Sequence, residues 1–164
     1  MKLRLKFFPA LACLLLALSA SAGRAQGPSV VTEEKVLAVI AAMDKAARAA
    51  KVDDIAAHLA DDVRIKATID VAGATQHVEY DRAEYIAETR RGFGKRLAYE
   101  FKRDKIEVTI SKDGQSAVVN SELFEKLRRR EGTFNSVASE IYVLKLRGGK
   151  LLVTSYYATV RVFV

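Results

Sequence analysis

The chain has 164 residues, half of them hydrophobic, with a net charge of +7, nine glycines, two prolines and a single cysteine, Cys13. That is enough length for one hydrophobic core without metal or disulfide staples. The lone cysteine excludes an intrachain disulfide framework, and most zinc sites with it.

Lys2, Arg4 and Lys6 precede an apolar run from Phe7 to Leu18, and Ala20-Ser21-Ala22 fits the small-x-small cleavage rule. Residues 1–22 therefore read as a secretory signal peptide, too short for a membrane span of about 20 apolar residues. Cys13 lies within the apolar run with most of that run after it, which argues against lipidation. Cleavage would leave 24 basic against 20 acidic residues, a net +4, and no cysteine. The expectation is an exported protein, periplasmic or secreted, with no membrane anchor once cleaved. Its modest basic excess does not argue for nucleic acid.

Residues 23–31 read as a flexible spacer containing Gly27-Pro28, and residues 32–164 as one domain. Thr32 is placed to cap a helix from Glu33 to about Lys51, with the apolar stripe Val36, Ile40, Met43, Ala47, Ala50 on one side. Asp53 or Asp54 can start a short second helix with Ile55 and Leu59 on its inner edge. Val63, Ile65, Ala67, Ile69 and Val71 alternate with polar residues, the period of a strand. Ala72-Gly73-Ala74 turns the chain towards a short return strand over Gln76 to Tyr80. Asp81-x-x-Glu84 is a capping box that predicts a third helix over Arg82 to about Arg91, stopped by Gly92 and Gly94.

Four strands follow. Tyr99 to Ile110 changes inward parity along its length, so a bulge is expected between Lys102 and Lys105. AVVNSELFEKL, NSVASEIYVLKL and LLVTSYYATVRVFV complete the set, with hairpin signals at Asp113-Gly114 and Gly148-Gly149.

This order of elements, with the phrases KVDDIAAHLADDVRI and RGGKLLVTSYYA, resembles the NTF2-like superfamily, which includes SnoaL-like and ketosteroid-isomerase-like proteins. The resemblance implies an α+β fold: a cone in which a strongly curved, mostly antiparallel sheet wraps three helices around a pocket. It also implies a homodimer formed through the outer sheet face, which would suit the last strand, where both parities are apolar. By the same resemblance Leu151, Val153, Ser155 and Tyr157 face the pocket, as do Glu140, Tyr142, Leu144 and Leu146. Extending the parity adds Asn120, Glu122 and Phe124. The isomerase aspartate has no counterpart, because the matching stretch reads Arg64-Ile65-Lys66-Ala67. The first helix lacks that family's tyrosine as well.

The expectation is thus a small, largely apolar ligand walled by Tyr99, Phe124, Tyr142 and Tyr157, with Glu122 or Glu140 as polar anchor. An enzyme of lyase, isomerase or hydrolase type would use one of those carboxylates. The competing reading puts them at the rim, solvated or paired with an arginine. A third is a non-catalytic module that binds through its sheet. His58 is a candidate base at the pocket mouth or a packing residue, and His77 falls in a loop or edge strand. No metal or cofactor is implied. The basic cluster Lys126, Arg128, Arg129, Arg130 reads as a solvated hairpin tip.

Overall fold

The computed structural model describes residues 30–163; the predicted signal peptide and nearly all of the spacer lie outside the described residues. Three helices and six strands follow in the expected order: α1 (Glu33–Arg48), α2 (Val52–Ala56), β1 (Leu59–Val71), β2 (Ala74–Tyr80), α3 (Arg82–Gly94), β3 (Ala98–Ile110), β4 (Ser116–Arg129), β5 (Gly132–Arg147) and β6 (Lys150–Phe163). The strands form one sheet in the order β2-β1-β6-β5-β4-β3. All neighbours are antiparallel except β1 and β6, which run parallel.

The Thr32 hydroxyl accepts from the Lys35 N–H at 3.3 Å, and Glu33 and Glu34 sit in the first turn of α1, where negative charge is stabilising. The helix stops at Arg48, short of the expected Lys51, because Ala50 adopts φ 57°. The Lys51 N–H then bonds back to the Ala46 carbonyl and the Ala50 N–H to that of Ala47. This is a Schellman ending, with alanine where glycine is usual. The capping box of α3 forms in both directions: Glu84 N–H to Asp81 Oδ1 at 2.9 Å and Asp81 N–H to Glu84 Oε2 at 3.0 Å. α3 runs through Gly92 to Gly94, so the two glycines end the helix later than expected.

Register shifts at three places shape the sheet, one of them in β1 between Leu59 and Arg64 where it pairs with β6. In β3 the register slips between Asp104 and Glu107, with Lys105 at φ 49°, beside the segment where the parity change predicts it. In β6 Val143 pairs with Ser155 while Leu144 pairs with Val153, leaving Thr154 as the extra residue. Its hydroxyl donates to the Val143 carbonyl at 3.3 Å. Each bulge bends its strand and exchanges the residues that face inward.

The concave side divides into a packed end and a hollow end. At the packed end the first half of α1, with Val36 and Ile40, lies on Leu59, Val63, Ile65, Val119, Leu144 and Val153. Further along the same strands Tyr142 and Ser121 mark the boundary, and beyond them the helices stand off the sheet.

Candidate ligand-binding cavity

Beyond that boundary α1, α2 and α3 roof a cavity of about 290 Å³ over β3, β4, β5 and β6. Met43, Asp44 and Ala47 of α1 face it, because residues four apart continue the stripe begun by Val36 and Ile40. Tyr85, Thr89 and Phe93 of α3 line the opposite wall, and Tyr99, Phe101, Leu123 and Leu127 the strand side.

The floor is an ion-pair network centred on Arg103. Its Nε and Nη2 engage Asp44 side-on, at 3.0 Å to Oδ2 and 2.8 Å to Oδ1. Nη1 donates to Ser121 Oγ at 2.7 Å and to Glu140 Oε2. The Tyr156 hydroxyl donates to the other Glu140 oxygen at 2.5 Å. Side-chain exposures are 7% for Arg103, 3% for Glu140 and 13% for Asp44, so these charges survive burial only through one another. Burial alone would pull the Arg103 guanidinium down. Its hydrogen bond to Asp44 and the charges of its neighbours outweigh that and raise it, so it remains a cation.

Tyrosines cover this floor. Tyr142 and Tyr156 pack with centroids 4.7 Å apart, and Tyr85 meets Tyr156 edge-on at 6.5 Å. Burial pushes the Tyr85 hydroxyl up to about 12, with Thr89 opposing through a hydrogen bond and Glu140 and Glu125 adding to the rise. Burial likewise raises Tyr99, Tyr142 and Tyr156. All four are therefore neutral; Tyr99 donates to Glu125 and Tyr156 to Glu140, while Tyr142 accepts from Arg103 Nη2 at 3.4 Å.

Nearer the mouth, Glu125 accepts from the Tyr99 hydroxyl and from Ser136 Oγ at 3.0 Å. Arg96 lies over Phe93 at 4.2 Å and over Tyr99 at 5.0 Å, and donates to the carbonyls of Ala47 and Arg48. Among the described residues no three His, Cys, Asp or Glu side chains converge as a metal site would require.

Of the residues expected in the pocket, Tyr99, Tyr142 and Glu140 line the cavity. Glu122, Phe124 and Tyr157 do not. Ser121 stands opposite Glu140, so Ser121, Leu123 and Glu125 are the inward residues of β4 and the expected parity is off by one. Glu122 lies on the back of the sheet, where it pairs with Lys105 at 2.9 Å, and Phe124 is 44% exposed there. The Thr154 bulge puts Tyr156 inside and leaves Tyr157 outside, 40% exposed.

The same bulge explains the two apolar parities of the last strand. Leu151 and Val153 face inward before it, and Tyr156, Ala158, Val160 and Val162 after it. The back is left with Leu152, Ser155, Tyr157, Thr159, Arg161 and Phe163, a mixed rather than apolar surface.

His58 faces away from the cavity, towards Ala42, Lys45 and Ala46 of α1 and the capping Ala49. Burial lowers its imidazole, with Asp54 partly opposing, so it favours the neutral form. His77 lies on β2 at the outer face, with Nδ1 3.0 Å from the Thr68 hydroxyl. Asp44, Tyr85, Arg96, Arg103, Glu125 and Tyr156 are absent from the sequence expectation. The signal for Asp44 was its place four residues after Ile40, on the apolar stripe; Arg103 shares the parity of Tyr99 and Phe101.

Compared by sequence, the chain matches no protein-family model and no curated protein. Solved structures are similar over most of its length. A conserved protein from Planctomyces limnophilus superposes with a TM-score of 0.67 at 15% identity, covering 80% of this chain and 97% of that one. A candidate scytalone dehydratase from Novosphingobium aromaticivorans gives 0.64 at 10% identity, covering 80% and 83%. An NTF2-like protein from Cytophaga hutchinsonii gives 0.61 at 21% identity, covering 79% and 98%. The chain therefore has the NTF2-like fold, an α+β cone whose sheet stays open.

Proposed function

We propose that this NTF2-like-fold protein is an exported binding protein that holds a small, largely apolar molecule in its cone. The cavity carries this reading. At about 290 Å³ it sits near the low end of small-molecule sites, about 300–1,000 Å³. Met43, Ile55, Phe93, Leu123 and Leu127 give it apolar walls, and a few fixed polar groups give it direction. Export and back-to-back pairing of two copies belong to the same proposal. The first is supported by the leader sequence, the second by exposed Ile141 and Tyr157 near the middle of the sheet.

Ligand-dependent melting with a panel of small aromatic and alicyclic compounds tests the site. A ligand that binds only the folded state raises the melting temperature with concentration. Ala47→Phe projects a ring into the cavity and should abolish the rise. A rise that persists in Ala47→Phe, or no rise with any compound, would show the reading to be wrong.

A second reading, an acid–base enzyme of lyase, isomerase or hydrolase type, is favoured by one observation. Glu125 faces the cavity beside Tyr99, a carboxylate next to a neutral hydroxyl donor. Glu140 suits the role less, since it is locked in the buried ion pair with Arg103, whereas Glu125 is held only by hydroxyls. In this reading Glu125 takes a proton from the substrate and Tyr99 supplies one to the departing or rearranging oxygen. Two similar structures carry dehydratase names. Glu125→Gln in the same panel separates the readings. An enzyme would keep its melting response and lose turnover; a binding protein would show no turnover to lose.

A further inference from the structure

Three arginines and three carboxylates line the cavity, and they are not evenly matched in space. Arg103 lies between Asp44 and Glu140, which leaves the floor with an excess of one negative charge. Glu125 is taken by Tyr99 and Ser136. That leaves Arg96 and Arg129, neither of which has a carboxylate within 4.0 Å among the described residues. They are neighbours. The Leu97 N–H donates to the Arg128 carbonyl at 2.8 Å, which sets Arg96 beside the end of β4 that carries Arg129. Glu125 is no substitute partner, since four residues of strand separate it from Arg129 by about 13 Å.

Arg129 has the less satisfied guanidinium. Among the described residues only two buried side-chain polar atoms lack a hydrogen-bond partner, Nε of Arg82 and Nε of Arg129. Arg82 is otherwise engaged, donating from Nη2 to the Ala56 carbonyl at 2.9 Å and standing 3.9 Å from Asp61. Among the described residues the Arg129 side chain has no hydrogen-bond or ion-pair partner, although it lines the cavity. A buried donor without an acceptor is costly to leave so, and an arginine fork pairs best with an oxyanion.

We infer that the cavity takes an organic oxyanion, a flat apolar body against Phe93, Tyr99 and Leu127 with its anionic group received by Arg129 and Arg96. The inference rests on the binding reading above and adds the chemical class and orientation of the ligand. The anion sits at the mouth because the carboxylate-rich floor repels it. Carboxylate and phosphate share the required chemistry, and the test tells them apart.

Isothermal titration with 2-naphthoate, 2-naphthyl phosphate and the neutral isostere 2-naphthamide provides that test. At least one anion is expected to bind ten times or more tighter than the amide, and the tighter of the two identifies the headgroup. Arg129→Met should cut that preference to under threefold, weakening the anion far more than the amide, and Arg129→Lys should keep part of it. If the amide binds as tightly as both anions, or if the preference survives in Arg129→Met, the oxyanion inference fails and the pocket stands. If none of the three binds the folded protein, the inference and the binding reading fall together. The comparison of anion with amide in the unmodified protein holds even if a variant does not fold.

Discussion

Arg103→Met is expected to lower unfolding free energy by about 3–5 kcal/mol, the usual cost of removing one partner from a buried ion pair. It leaves Asp44 and Glu140 facing one another with side-chain exposures of 13% and 3% and no cation between them. It also leaves the Ser121 hydroxyl without its 2.7 Å donor. The surface pairs Lys66–Glu79 and Arg90–Asp53 have side chains at least half exposed, and pairs of that sort contribute about 0–1 kcal/mol. Urea unfolding checks the value. Adding Asp44→Leu and Glu140→Met to Arg103→Met should recover much of the loss, because an apolar replacement of the whole triad removes the uncompensated charges. A loss below about 1 kcal/mol for Arg103→Met would mean that water reaches the network.

The second large effect belongs to the packed end. Leu144 is fully buried on β5 among Val36, Ile40, Val119 and Val153. Leu144→Ala removes its methyl groups and leaves a hole that α1 closes only partly, at a cost of about 2–5 kcal/mol. For a domain of this size each kcal/mol moves the midpoint by about 2–4 °C, so calorimetry resolves the change. The cavity lies beyond Tyr142, so the variant should keep its ligand-induced rise in melting temperature. A loss under about 1 kcal/mol would place Leu144 outside the tight core.

The fold could be read from the sequence wherever hydrophobic periodicity or turn chemistry left one solution. β1 alternates cleanly, Asp81 and Glu84 cap α3 as a pair, and Gly148 and Gly149 take φ 55° and 79° at the last hairpin. The β3 bulge was visible because Tyr99 and Phe101 differ in parity from Val108. The β6 bulge was not. In LLVTSYYATV both parities are apolar, so an extra residue at Thr154 leaves no trace in the pattern. β4 failed for a related reason: Asn120, Glu122 and Phe124 are no more apolar or polar than Ser121, Leu123 and Glu125. A slip of one residue then exchanges the faces without penalty to the pattern.

The polar floor was the least legible part. Charged residues are rarely buried, so neither Asp44 nor Arg103 is expected in the interior. They are separated by 59 residues, and only the packing of α1 against β3 brings them together. Glu140 was placed inward correctly, because β5 is free of bulges between it and Leu146.

Native mass spectrometry of the protein purified from its own host tests the central claim, that the hollow end of the cone is a ligand site. The unmodified chain should carry a non-covalent adduct small enough for a cavity of about 290 Å³, and the Ala47→Phe protein prepared the same way should carry none. A bare mass for the unmodified chain, or the same adduct on both proteins, would contradict it.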